Sequence, residues 1–96
     1  MNTLSRILAT ELTPKGNPKT ITFVSADKDQ WILTIKRIRR HMHSGLKATK
    51  ELVELVVMEP PVAITLDKFN KNPDFNFSDF KKDMALIGAV VRKGRI

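Results

Sequence analysis

Three short segments of the chain are predicted to be β-strands, and one of them shows the alternation of apolar and polar residues that is typical of a strand. Residues 20–24 (Thr-Ile-Thr-Phe-Val) alternate from Thr20 to Phe23 and contain β-branched and aromatic side chains. Two other short, mainly apolar runs, residues 62–66 and 89–91, are also predicted to be strands. The polar stretch 67–76, which contains an Asn-Pro pair, is predicted to be a loop.

Three longer segments show helical spacing instead. In the first, residues 28–43, four apolar residues fall on one narrow stripe when each residue advances by about 100°. They are Trp31, Ile35, Ile38 and Met42. This stripe predicts an amphipathic helix whose apolar side faces a core.

Two further helices are predicted over residues 46–57 and 79–87. Gly45 is expected to end the first helix by supplying a left-handed backbone conformation, and Gly88 to end the third. The sequence Glu-Pro-Pro at residues 59–61 is expected to stop the second helix, because proline lacks an amide donor.

The elements therefore follow the order β-α-α-β-α-β, which predicts an α+β sandwich with helices on one face of a three-stranded sheet. We assign residues 20–93 to this single domain. Residues 1–19 form an N-terminal arm, with a short amphipathic helix over 1–12, and residues 94–96 end a basic tail. A chain of 96 residues has room for one modest core.

Composition narrows the function classes. The chain lacks cysteine, so disulfides and thiolate metal sites are excluded. No apolar run reaches the roughly 18 residues that a membrane span needs, and the N-terminus does not resemble a secretory signal. We therefore expect a cytoplasmic protein without a membrane partner.

The charge is strongly positive and locally concentrated. Seventeen Lys and Arg residues against ten Asp and Glu give a net charge of +7, which favours polyanionic or acidic partners. Residues 36–50 hold six of these cations and two histidines but no acid, and acids resume at Glu51. The alternative interpretation is a solvated helix face that balances downstream acids, including i,i+4 pairs Lys47–Glu51 and Lys50–Glu54.

Residues 35–39 (Ile-Lys-Arg-Ile-Arg) and 45–54 (Gly-Leu-Lys-Ala-Thr-Lys-Glu-Leu-Val-Glu) carry a family resemblance. They resemble the C-terminal domain of the bacterial ribosomal stalk protein, the L-seven/L-twelve family, whose pattern is I-K-x-V-R, a glycine-containing turn, then G-L-K-E-A-K-D-L-V-E. His43 and Ser44 stand where the family has Gly-Leu. The likeness follows the order of elements over 20–93 and is sharp over 32–54. Further along, Phe80-Lys81-Lys82 and Gly88-Ala89 match the family's L-K-K…A-G-A pattern ahead of the final strand.

The resemblance implies a partner-binding surface rather than a catalytic site. In that family the two helices around the glycine turn dock translational GTPases, through two aliphatic residues and two cations on the first helix and a lysine on the second. The matching positions, together with the neighbouring Lys47, form the partner-binding set that we predict for a translational GTPase or another acidic surface: Ile32, Ile35, Lys36, Arg39, Lys47 and Lys50. A stand-alone relative of the family, for which a phage origin is one hypothesis, fits the basic charge and the short arm.

The periodicity and the resemblance disagree about one side of the first helix. The apolar stripe places Trp31 and Ile35 in the core, whereas the family geometry leaves Ile32 and Ile35 exposed and turns Ile38 inward. We favour the family geometry, because seven matched positions across the turn fix the register. It places Trp31 partly exposed beside the patch.

Candidate catalytic and cofactor chemistry is weak. His41 and His43 point about 200° apart on a helix and are expected to be surface residues that share no metal. Asp79 and Asp83 are expected to have cap and surface roles, and no serine lies in a nucleophile motif. We therefore predict a non-enzymatic protein without a cofactor or metal.

A sequence-neutral nucleic-acid binder is the alternative function. The basic residues of the two helices and the tail would contact phosphates, whereas Glu51 and Glu54 on the second helix disfavour base reading. This alternative uses a wider set of cations: Lys36, Arg37, Arg40, Lys47, Lys50, Arg92 and Lys93.

Overall fold

A computed structural model of the chain describes residues 17–94. The helix expected over residues 1–12 lies outside the described residues, as do the last two residues of the basic tail. The helices and strands follow the order β-α-α-β-α-β with one additional short helix, α3, after β2. Their bounds are β1 Thr20–Ser25, α1 Trp31–Met42 (preceded by a 3-10 turn, Lys28–Gln30), α2 Leu46–Met58, β2 Val62–Thr65, α3 Leu66–Phe69, α4 Phe77–Leu86 and β3 Val90–Lys93.

The three strands form an antiparallel sheet in the order β2-β1-β3, which confirms the predicted α+β class. Alternation along β1 divides its side chains between two faces. Ile21 and Phe23 are buried in the core, and Val91 lies opposite Phe23 in the same core. The side chain of Thr22, on the other face, donates a 2.5 Å hydrogen bond to the carbonyl of Gly94.

The core forms where the apolar sides of the helices meet this face of the sheet. Phe80 of α4 lies at its centre, fully buried, with its ring centroid 6.0 Å from that of Phe23 and 5.4 Å from that of Phe75. The other helices contribute buried stripes at helical spacing: Ile35, Ile38 and Met42 from α1, and Leu52, Val53 and Val56 from α2. These contacts fix the outward face of each helix.

The stretch predicted as a polar loop is more structured than its composition indicated. Leu66 is buried and begins α3, so β2 ends one residue earlier than expected. Phe75 is 2% exposed, and Asn17 holds this segment by donating to the Phe75 carbonyl and accepting from the Phe77 amide. The side chain of Asn76 caps α4, which begins two residues before the predicted start.

The turn between α1 and α2 corrects the role expected of Gly45. His43 adopts the left-handed conformation (φ 54°), and its amide closes α1 on the carbonyl of Arg39. Gly45 has φ −68° and begins α2 as its N-cap, so no glycine is required there. The buried hydroxyls of Ser44 and Thr49 lie 2.6 Å apart, and Thr49 donates to the Gly45 carbonyl, which fixes the path of the turn.

Gly88 fulfils its predicted role. Its φ is 78°, and α4 ends in two backbone hydrogen bonds, from Gly88 to Ala85 and from Ala89 to Met84. This is the Schellman arrangement, in which a left-handed glycine satisfies the last carbonyls of a helix. Within residues 17–94, none of the helices combines the length and apolar composition required to cross a bilayer.

Candidate partner-binding surface

The outward face of α1 presents an aliphatic residue between two cations. Ile32 is 64% exposed, and Lys36 and Arg39 are exposed within about 60° of it around the helix. A shallow, open depression lies beside Ile32 at the start of the helix and is lined by Trp31, Lys36 and residues 28–30. Three of the predicted partner-binding residues therefore share one exposed face.

Ile35 does not belong to this face, and its predicted exposure is wrong. It is 5% exposed and packs in the core with Ile38 and Met42, as the apolar stripe indicated. The backbone places Ile35 one helical turn from Ile38 on the buried side, whereas Ile32 lies about 60° away on the outer side. Trp31 is half-buried against the core beside Ile32, as expected.

The second helix adds two lysines. Lys47 and Lys50 are exposed on α2 and line a groove together with Leu46, which is 51% exposed, and the acids Glu51 and Glu54. Among the described residues neither lysine forms an ion pair within 4.0 Å, so the expected pairs with Glu51 and Glu54 are not made. Both ammonium groups are thus available to a partner.

Arg39 and Lys47 lie near the two ends of the connection between α1 and α2. The two helices pack against each other, and Arg39 Nε donates a 3.2 Å hydrogen bond to the Ser44 carbonyl in the turn. We call the exposed set on the two helices the docking surface, defined by Ile32, Lys36, Arg39, Lys47 and Lys50.

The wider basic set of the nucleic-acid alternative is divided between different parts of the molecule. Arg37 is directed to α4, where its guanidinium forms a salt bridge with Asp83, and Arg40 Nη2 lies 3.9 Å from the same carboxylate. Arg92 and Lys93 lie on β3, and Arg92 pairs with Thr22 on the sheet. Since Arg92 falls in the register of Thr22, its side chain is on the face away from the helices.

Sequence reasoning missed the network around Asp83. His41 is half-buried rather than a surface residue; its Nε2 lies 2.7 Å from Asp83, and its ring lies 5.3 Å from that of Phe80. Asn72 donates to the His41 carbonyl. A signal did exist: Arg37 and His41 are four residues apart and share one face of α1. Nothing local identified their partner, 42 residues or more away.

The electrostatics of the network favour the charged form of Asp83. Burial raises the pKa of this carboxyl, but the hydrogen bond with His41 and the charges of Arg37, His41 and Arg40 outweigh it. The pKa of Asp83 is therefore lowered from its ordinary value of 3.8. The other histidine, His43, is exposed in the turn between α1 and α2, as predicted for a surface residue.

Within residues 17–94 no cluster of three or more His, Cys, Asp or Glu side chains is arranged to hold a metal ion. Comparisons of the chain with protein-family models, with curated proteins and with solved structures find no match.

Proposed function

We propose that the chain is a non-enzymatic, cytoplasmic protein-binding module that docks an acidic protein partner through the docking surface on α1 and α2. The observation that carries the proposal is the exposure of Ile32 between Lys36 and Arg39. A single exposed aliphatic residue is ordinary on a protein surface, so the support comes from its setting: Ile32 lies between two cations, beside the half-buried Trp31 and an open depression.

The two kinds of side chain have separate roles in such a contact. The cations Lys36, Arg39 and Lys50 attract an acidic surface and orient the encounter. Ile32 and the adjacent edge of Trp31 then lose water when they are covered, which slows dissociation. The shallow depression beside Ile32 would accept an apolar side chain of the partner.

The resemblance to the ribosomal stalk family supports a translational GTPase as the partner. Four of the five residues that match the family's docking positions are exposed: Ile32, Lys36, Arg39 and Lys50. The family has a glycine at the position of His43, and this is where the backbone turns left-handed. Because Ile35 is buried, Ile32 takes the whole aliphatic role here.

Nucleic-acid binding remains the second candidate, and the exposed Lys36, Lys47 and Lys50 would serve it as well. It receives less support, because Arg37 already has a carboxylate partner and Arg92 lies on the outer face of the sheet. An apolar Ile32 at the centre also contributes nothing to phosphate contacts.

The test measures binding of the full chain to purified bacterial translational GTPases and, in parallel, to duplex DNA and RNA of random sequence. The variants are Lys36→Glu/Arg39→Glu and Ile32→Asp. The control is Lys68→Glu/Lys71→Glu, which changes the net charge equally at exposed positions outside the docking surface. Each interaction is measured at about 50 and about 300 mM salt.

We expect a GTPase to bind the wild type and the control equally, and both docking-surface variants at least about 10-fold more weakly, since hot-spot losses exceed about 1.4 kcal/mol. Equal GTPase binding by the wild type and Lys36→Glu/Arg39→Glu contradicts the proposal. Binding to nucleic acid alone, with a steep inverse salt dependence and no effect of Ile32→Asp, would establish the second candidate instead.

A further inference from the structure

The edge of the sheet at β3 presents backbone groups to which residues 17–94 bring no further strand. The Gly94 amide donates to the Thr20 carbonyl, so residues 20 and 94 form a hydrogen-bonded pair. In an antiparallel ladder such pairs alternate with pairs that exchange no hydrogen bonds. By the register, the backbone of Arg92 is hydrogen-bonded to β1, whereas the backbone groups of Val91 and Lys93 are not. The amides and carbonyls of Val91 and Lys93 therefore point outward, where no described strand lies.

An apolar groove runs beside this edge, between β3 and α4. Three of its lining residues have small side chains or none, namely Ala85, Gly88 and Ala89, so the space above the strand remains open. Val90 is 46% exposed at the same edge, and Lys81 closes the rim on the helix. An edge strand beside a helix-lined groove is the geometry by which folded domains take up an extended peptide as an additional strand.

The positive charges around this edge determine which kind of strand can pair with β3. Lys81 on α4 and Lys93 on β3 lie on the helix side of the strand, and Arg92 lies on the other side. These cations repel a second copy of the same edge and attract an acidic segment. Asp27 is an acid beside the groove, since its side chain lies next to Gly88.

We propose that the β3 edge binds an extended acidic peptide segment as a fourth strand. Backbone hydrogen bonds form to Val91 and Lys93, and alternate side chains of the peptide, small and apolar, enter the groove over Ala85. The acidic side chains between them point to the other face of the sheet, where Arg92 lies, while Lys81 and Lys93 border the groove and add positive charge on the helix side. This site is separate from the docking surface and does not depend on the proposed function.

The experiment titrates the full chain, labelled with ¹⁵N, with an acetylated, amidated octapeptide in which glutamate and valine alternate. We expect the largest amide shifts at Val91 and Lys93, and slower hydrogen exchange of both amides at saturation. A peptide with lysine in place of glutamate is expected to cause no such shifts, because its charges repel the edge.

Two variants and two matched controls locate the site. Ala85→Trp fills the groove at an exposed position and is expected to weaken binding at least about 10-fold, whereas Ala48→Trp on the exposed side of α2 leaves it unchanged. Arg92→Glu is expected to have an effect of the same size, because Arg92 lies on the face to which the acidic side chains point, and Lys68→Glu none. Circular dichroism confirms that each variant is folded.

Three outcomes would overturn the proposal. The first is no shift with the glutamate–valine peptide at millimolar concentration. The second is binding that survives Ala85→Trp or maps to Lys36 and Arg39. The third is a concentration-dependent dimer of the wild type that Ala85→Trp abolishes, because the edge would then pair with a second copy.

Discussion

The Nε2 atom of His41 lies 2.7 Å from a carboxylate oxygen of Asp83, and this contact links α1 to α4. Arg37, one turn earlier on the same face of α1, forms a salt bridge with the other oxygen. The side chain of Asp83 is only 11% exposed. On α1 this face lies opposite the docking surface, so the network holds the helix against the body of the domain while leaving Ile32 toward solvent.

Asp83→Asn is expected to lower the free energy of unfolding by about 1 to 3 kcal/mol, because Arg37 and His41 lose a charged acceptor in a partly buried site. Urea denaturation monitored by circular dichroism measures the change. Glu54→Gln is the matched control, since it removes the same charge from an exposed residue without an ion pair among those described. Equal losses in the two variants would show that the network does not stabilise the fold.

The stabilisation by Asp83 is expected to depend on pH. Its pKa is lower in the folded state than its ordinary value, so the charged carboxylate stabilises the fold above pH 3.8. This contribution disappears as the pH falls through the folded-state pKa and the group becomes protonated. The difference in unfolding free energy between the wild type and Asp83→Asn should therefore persist at about pH 7 and 5 and shrink at about pH 3. A difference that stays constant to the lowest pH would contradict this assignment.

Two residues of the turn between α1 and α2 stand in the reverse of the usual arrangement: His43 is left-handed, and Gly45 has an ordinary backbone conformation. His43 holds a left-handed conformation that costs a residue with a side chain about 1 to 2 kcal/mol, so His43→Gly is expected to stabilise the fold by roughly 0.5 to 1 kcal/mol after the entropy of glycine is counted. Gly45→Ser is also expected to stabilise, by roughly 0.5 kcal/mol, because Gly45 has an ordinary φ, open space around it and an N-cap position.

Thermal and urea unfolding of both variants provide the check, with His43→Ala as the comparison that keeps a side chain in the left-handed conformation. A loss of stability in Gly45→Ser, together with no gain in His43→Gly, would mean that the glycine and not the histidine carries the turn.

Local patterns in the sequence predicted most of this fold. Alternation at residues 20–24 and the stripe ending at Met42 depend on neighbours a few positions away, and both were confirmed. Gly88 was also predicted correctly, because it directly follows the last turn of α4. Gly45 was not, since two positions lie close together in the turn and sequence alone does not say which of them is left-handed.

Interactions between distant segments were not predictable in the same way. Phe75 stands in a polar stretch, and its burial depends on Phe80 and on Asn17, 58 positions earlier. The sequence around Asp83 is typical of an exposed helix position, and the burial of its side chain follows only from the packing of α1 beside α4. Ile35 shows the reverse case, in which the simple apolar stripe was right and the register of a resembling family was wrong about exposure.

Ile32 and Ile35 provide the sharpest separation of binding from stability, because they are the same residue type on one helix with opposite exposure. Ile32→Ala should change the free energy of unfolding by less than about 0.5 kcal/mol, as is usual at the surface, yet weaken GTPase binding at least about 5-fold. Ile35→Ala should cost about 2 to 5 kcal/mol through the cavity that it leaves.

Ile35→Val keeps most of that volume and is the appropriate folded comparison, with an expected cost of about 0.5 to 1.5 kcal/mol and unchanged partner affinity. Urea denaturation and binding measurements on the same preparations test both statements. If Ile35→Val lowered the affinity for the partner as much as Ile32→Ala did, the contact would have to include the buried side of α1. The assignment of Ile32 as the aliphatic centre of the docking surface would then be wrong.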